Sequence, residues 1–245
     1  MALLRLDKII GSTGRWSRRE IMQLVKEGRV LVNGKPAPGA DQKYEPEETV
    51  IQVDGEELCF AQYHYVMLHK PAGVLSATED RRAGTVLDLL PPELRKLELF
   101  PVGRLDKDTE GLLLMTDDGA LAHRLLSPKH HVDKVYYART GGVLTEADCA
   151  ALAEGLVLED GLHCLPAQLE ILSGGVPGEA LITLREGKFH QVKRMLASRG
   201  APVLYLKRLS MGPLRLDPQL ECGKWRYLTK TELDALLALK GTENV

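Results

Sequence analysis

The chain has 245 residues, with 32 Lys and Arg against 34 Asp and Glu, a formal net charge of −2 and a pI near 6.4. Hydrophobic residues at 44% and charged residues at 27% are ordinary globular values, suited to one large domain or a small one joined to a medium one. These figures exclude a uniformly basic nucleic-acid wrapper, and the longest apolar runs, Leu112–Met115 and Ala235–Leu239, are far too short to span a membrane.

Charge at Arg5, Asp7 and Lys8 comes too early for a signal-peptide core. Cys59, Cys149, Cys164 and Cys222 form no Cys-x-x-Cys pair, which points to reduced thiols in a cytoplasmic protein. His123, His130, His131 and the His163-Cys164 pair lack partners at ligand spacing, so no metal is expected.

In chain order, Leu6, Ile9 and Ile10 have helical spacing and stop at Gly11. Ser17-Arg-Arg-Glu20 is a capping-box pattern, which opens a second helix with Ile21, Leu24 and Val25 on its apolar face. A strand at 29–32, the hairpin signal Asn33-Gly34, a second strand from Lys35 and a third over Thr49–Val53 follow. Residues 1–35 hold eight basic side chains against three acidic ones, whereas residues 36–58 hold one against seven, so the near-neutral total conceals a dipolar module. Arg5-Leu-Asp-Lys8, Ser17-Arg18 and Gly28-Arg-Val-Leu-Val-Asn-Gly34 resemble the S4 RNA-binding domain. The resemblance implies two short helices and a small sheet that offer Arg5, Lys8, Ser17, Arg18 and Arg19 to RNA, in keeping with the local basic excess.

A composition shift at Glu56–Tyr63 suggests a linker, giving a first domain over 1–58, a linker over 59–63 and a second domain over 64–245. Tyr65–Gly73 reads as a strand running into a turn. The stretch from Phe100 to Gly111 is broken by Pro101 and Gly103 and carries carboxylates at Asp106, Asp108 and Glu110. Their spacing mimics a calcium loop, but Leu112–Met115 is too hydrophobic for one and reads as a buried strand. Ala120–Leu126 and Thr145–Gly155 read as helices. Leu165–Ile171 and Ala180–Leu184 form a hairpin, and Thr229-x-x-Glu232 caps a closing helix. The result is an α+β fold with a mainly antiparallel sheet flanked by helices.

Four motifs in this region occur in an informative order. Gly103-Arg-Leu-Asp106 with Thr109-x-Gly111-Leu-Leu resembles the active-site motif of pseudouridine synthases. Leu68-His-Lys-Pro-x-Gly73, Ser127-Pro-Lys-His-His-Val-Asp-Lys-Val-Tyr136 and Glu186-Gly-Lys-Phe-His-Gln-Val-Lys-Arg-Met195 resemble three further motifs of that family. The second and last look most like the small-subunit ribosomal RNA enzymes. The resemblance implies isomerisation of uridine to pseudouridine, with no redox change and no cofactor. It casts Asp106 as the carboxylate that attacks or activates the sugar, and Lys193 as the cation that keeps it ionised, where related families place arginine. Tyr136 would stack on the target uracil. Arg104, His190, Gln191 and Arg194 would hold the flipped nucleotide and its neighbours. Residues 185–208 hold seven basic side chains against Glu186 alone, which suggests a second landing surface for phosphates. The implied partner is small-subunit ribosomal RNA, in an assembly intermediate, bound by a monomer. A large-subunit substrate and a non-catalytic RNA-binding or assembly factor are the alternatives.

Overall fold

The computed structural model describes residues 3–127 and 130–239; Pro128 and Lys129, inside the third motif, lie outside the described residues. The chain divides into two compact units. One runs to His64 and also takes in Leu90–Leu99, and the other holds Tyr65–Leu89 and the chain from Phe100 onward.

The first unit places β1 (Leu4–Arg5) and α1 (Leu6–Gly11) before α2 (Arg18–Lys26). Ser17 caps α2 as its sequence requires: its hydroxyl accepts from the Glu20 amide, and Glu20 accepts from the Ser17 amide. A four-stranded sheet follows, ordered β3 (Lys35–Pro36), β2 (Val30–Val32), β5 (Ile51–Val53), β6 (Glu56–Leu58), while β4 (Lys43–Tyr44) pairs with β1. Asn33 and Gly34 both take positive φ, 51° and 76°, the backbone a tight two-residue hairpin demands. Leu6, Ile10, Ile21, Val30, Ile51 and Val53 form the core.

Two features depart from the sequence reading. The composition shift that begins at Glu56 opens inside strand β6, because Glu56–Leu58 completes the ladder on β5. The segment around α3 (Pro92–Arg95) belongs to the first unit, since Leu90, Leu94 and Leu99 are buried and Lys96 Nζ donates to the Arg15 carbonyl. A contribution from so far along the chain leaves no local periodicity to read.

The second unit is built on β7 (Tyr65–Lys70), β8 (Phe100–Pro101), β9 (Glu110–Thr116), β10 (Lys134–Thr140), β13 (Gln168–Ser173), β14 (Gly178–Leu184), β15 (Val203–Met211), β16 (Leu214–Arg215) and β17 (Trp225–Tyr227). A small hairpin, β11 (Leu156–Val157) with β12 (His163–Cys164), stands apart from this sheet. The helices are α4 (Gly119–Leu126), α5 (Glu146–Glu154), α6 (Gln191–Ser198) and α7 (Lys230–Leu237). None among the described residues is long and apolar enough to cross a membrane.

The main order is β13-β14-β10-β15-β9-β7-β17, with β8 beside β9 and β16 beside β15. Every pairing is antiparallel except β9 with β15, where two residue pairs run parallel. Leu112–Met115 of β9 is fully buried, as expected of a central strand. Leu121 and Leu125 of α4 and Leu236 of α7 cover one face of it, in a cluster with Met67, Leu112, Leu114 and Met211. At the parallel junction the two strands approach closely. Gly111 sits opposite Arg208 at φ 110°, and a Cβ there would lie 2.2 Å from the Arg208 carbonyl oxygen. Only glycine fits.

Candidate functional site

The loop leading into β9 has no helix or ladder to fix it, so its geometry comes from side chains beneath and beside it. Lys70, at the end of β7, is fully buried, and its ammonium donates to the carbonyls of Pro71, Asp106, Lys107 and Thr109 at 3.0, 3.1, 3.3 and 2.9 Å. Burial pulls its pKa down to about 8, against the pull of Asp108, Asp106 and Glu110. Ser76 Oγ donates to the Leu105 carbonyl and accepts from the Leu105 amide. The Gly73 amide donates to Lys107, and the Thr109 amide closes a turn on Asp106. The backbone on both sides of Asp106 is therefore pinned.

The side chain of Asp106 is a quarter exposed, and Lys193 Nζ from α6 lies 3.1 Å from its Oδ2. The same ammonium is 2.5 Å from Asp108 Oδ1. Burial works against the charge on Lys193, but the bonds to Asp108 and Asp106 outweigh it and hold its pKa above the usual lysine value. The bond from Lys193 in turn holds the Asp108 carboxyl below the ordinary range. His190 Nε2 stands 3.6 Å from Asp106 Oδ1, too far for a hydrogen bond. His190 occupies the left-handed region at φ 50°, ψ 30°, directly before α6. Its ring stacks on that of Phe189 at 3.8 Å between centroids, and Phe189 is 76% exposed.

Tyr136 is buried on β10, where the register against β15 shifts between Val135 and Tyr136. Such bulges re-aim side chains beside functional clefts. Arg104, Asp106, Thr109, Tyr136, His190, Gln191 and Lys193 line one cleft together with Leu184 and Leu206. Six of the residues singled out by sequence thus converge, although they come from three separated stretches of chain.

Other expected residues have different surroundings. Gln191 is buried, donates to Glu186 Oε1 at 2.6 Å and accepts from the Lys188 amide at 3.0 Å, which fixes the turn before α6. Arg194 pairs with Asp160. The second basic stretch is not an open surface. Arg185 pairs with Asp133, Lys188 with Glu186, Lys193 with Asp106 and Asp108, and Arg199 with Asp148, while Arg208 is buried with its Nε donating to the Leu112 carbonyl. Counting charge along a window missed acids supplied from elsewhere in the chain. In the first unit, Arg5 and Arg18 converge on Asp7, and Arg15 pairs with Glu56. Lys8 and Arg19 are exposed and make no ion pair among the described residues. Arg5, Lys8 and Arg18 line a groove with Trp16, Ser17 and Lys96.

Three contributors escaped the sequence reading: Lys70, Ser76 and Asp108. Lys70 did leave a signal, a cation ending a strand with the apolar run Val66–Leu68, where a buried charge requires partners.

The arrangement offers a partly exposed carboxylate beside a fixed ammonium, an aromatic wall, and apolar side chains that limit water. This suits attack on, or proton removal from, a sugar or a flat heterocycle. The chain matches the family model for RNA pseudouridylate synthase over residues 64–198 and that for the S4 domain over residues 4–50. It is 47% identical over 234 residues to a Bacillus subtilis protein described as an uncharacterized RNA pseudouridine synthase, covering 95% of this chain and 98% of that one. The ribosomal small subunit pseudouridine synthase A of Vibrio vulnificus is 40% identical over 234 residues, covering 95% and 99%. A crystal structure of a pseudouridylate synthase superposes with a TM-score of 0.66 at 36% identity, covering 95% of this chain and 99% of that one.

Proposed function

The chain belongs to the RNA pseudouridylate synthase family, as an isomerase that carries an S4 domain, and we propose that its substrate is a uridine of small-subunit ribosomal RNA. The observation that carries this choice is the full-length similarity to ribosomal small subunit pseudouridine synthase A proteins. The protein works as a cytoplasmic monomer on RNA within a small-subunit assembly intermediate.

Isomerisation breaks the bond from uracil N1 to C1′, turns the freed base and joins C5 to C1′, while the hydrogen at C5 leaves as a proton and N1 takes one up from solvent. Asp106 supplies the carboxylate that attacks or deprotonates. The ammonium of Lys193, 3.1 Å away, orients it. Tyr136 stacks on the base once the nucleotide has left the helix, and Arg104 and His190 hold the flanking backbone. The exposed ring of Phe189 gives a neighbouring base a stacking surface. Lys8, Arg19 and the Arg5–Arg18 groove of the S4 unit hold phosphates.

The test uses RNA labelled with tritium at uracil C5. Wild-type protein releases tritium from small-subunit RNA or its assembly particles, and Asp106→Asn binds the same RNA but releases none. Release from large-subunit RNA alone would overturn the substrate, and full release by Asp106→Asn would overturn the role of the carboxylate.

A further inference from the structure

Glu110, at the start of β9, takes no part in the reaction outlined above. Its carboxylate, a ring nitrogen of His69 on β7 and the sulfur of Cys222, just before β17, lie within 4.8 Å of one another. His69 is only 7% exposed. Its Nδ1 meets the Leu220 carbonyl at 2.7 Å, whereas its Nε2 is buried without a hydrogen-bond partner among the described residues. A carbonyl only accepts, so Nδ1 carries a proton, and in the neutral ring Nε2 presents a lone pair. A ring nitrogen held this way by a backbone carbonyl is the usual support of a metal-bound histidine.

We propose that His69, Glu110 and Cys222 form a zinc site with one position left for water. Nitrogen, sulfur and carboxylate oxygen together suit zinc, whereas calcium and magnesium take oxygen. Zinc bonds of about 2.0–2.3 Å set neighbouring ligand atoms roughly 3.5 Å apart, so the cluster must contract by up to about 1.3 Å. His69 is fixed, but Cys222 is exposed and Glu110 half-buried, which gives them the freedom to close and the ion a route in. Tyr205 donates to Glu110 Oε2 at 2.7 Å and orients the carboxylate from behind. The ligands are 41 and 112 residues apart in sequence, which hides them from any spacing motif. A bound ion would tie β7, β9 and the turn before β17 together.

The experiment takes the full-length protein, stripped of metal and free of affinity tags. Zinc uptake is measured by competition with a chromophoric chelator, and cobalt serves as the spectroscopic probe. Wild-type protein takes up one equivalent of zinc, melts at a higher temperature with it, and shows a thiolate-to-cobalt charge-transfer band. Cys222→Ser loses the band and binds zinc more weakly by more than the ~10–100-fold that follows loss of a supporting partner. His69→Gln also loses uptake, and Cys59→Ser, altered at an exposed thiol outside the cluster, retains it. Cys222→Ser decides the matter should His69→Gln fail to fold, because Cys222 is exposed. Absence of micromolar zinc binding by wild-type protein overturns the proposal, as does wild-type affinity or a charge-transfer band that persists in Cys222→Ser.

Discussion

Replacing Lys70 with methionine keeps most of the side-chain volume and removes the donor that gathers the loop carrying Asp106. Four carbonyls surround Nζ at 2.9–3.3 Å, and three of them belong to Asp106, Lys107 and Thr109. Hydrogen bonds from a charged donor contribute about 1.5–3 kcal/mol each before burial is charged against them. The fall in the Lys70 pKa from 10.5 to about 8 leaves a net cost of charging it near 3 kcal/mol, after the nearby carboxylates have offset part of the burial. With the donor gone, each buried carbonyl left unpaired costs about 1–3 kcal/mol, less whatever the loop recovers by moving toward water. A net loss of about 2–4 kcal/mol follows, and the movement that limits it carries Asp106 with it. A displacement near 1 Å costs roughly 10²-fold in rate.

Single-turnover tritium release should therefore slow by about 10²-fold or more in Lys70→Met. The affinity for RNA should change by less than about two-fold, because a fully buried side chain touches no ligand. A fall in melting temperature without a fall in rate would show that Lys70 serves the fold and not the loop. A variant with both properties intact would refute the reasoning altogether.

Lys193→Met removes the ammonium shared by Asp106 and Asp108, and single-turnover release should drop by about 10²–10³-fold with RNA affinity nearly unchanged; Lys193→Arg should recover part of it. Gly111→Ala sets a Cβ 2.2 Å from the Arg208 carbonyl oxygen at φ 110°, and should destabilise the protein by about 2–5 kcal/mol, seen as a lower melting temperature; an unchanged transition would contradict the close approach of β9 to β15. Burial, helped by the charge of Arg208, lowers the Lys134 pKa from 10.5 to about 8, so between those values the unfolded chain binds more protons and stability rises with pH. Lys134→Met should lack this gain, up to about 3 kcal/mol, in urea melts compared at about pH 7 and about pH 10; equal slopes for both proteins would count against it.

Local patterns were legible wherever physics is local. The Ser17 capping box, the Asn33-Gly34 turn, the apolar run of β9 and the box at Thr229 each formed as their residues demand. Motif order singles out Arg104, Asp106, Tyr136, His190, Gln191 and Lys193, which line one cleft, whereas periodicity alone leaves Tyr136 as one more strand residue. What failed was inference about charge. Arg15 and Arg29 are met by Glu56 and Asp54, so the acidic stretch that seemed a separate pole partly neutralises the basic one. Around Lys193, acids from Asp106 to Asp160 do the same. Window counts measure composition, while phosphate binding depends on which cations remain unpaired after folding.

The same distinction explains how an irregular loop can hold the Asp106 carboxylate in place. Between Pro101 and Glu110 no ladder fixes the backbone, and the polar groups of such a segment would ordinarily turn to water. Here Lys70 from β7 binds its carbonyls from beneath, Ser76 binds both backbone groups of Leu105, and Lys193 from α6 binds the carboxylates of Asp106 and Asp108. Each anchor is a side chain on or beside an element already ordered by the sheet core. Two of the three are lysines, one fully buried with a depressed pKa and one a fifth exposed with a raised pKa. The buried one faces carbonyls, which stabilise its charge only partly, and the exposed one faces carboxylates, which do so fully. That difference assigns their work: Lys70 sets where the backbone runs, and Lys193 sets where the Asp106 carboxylate points.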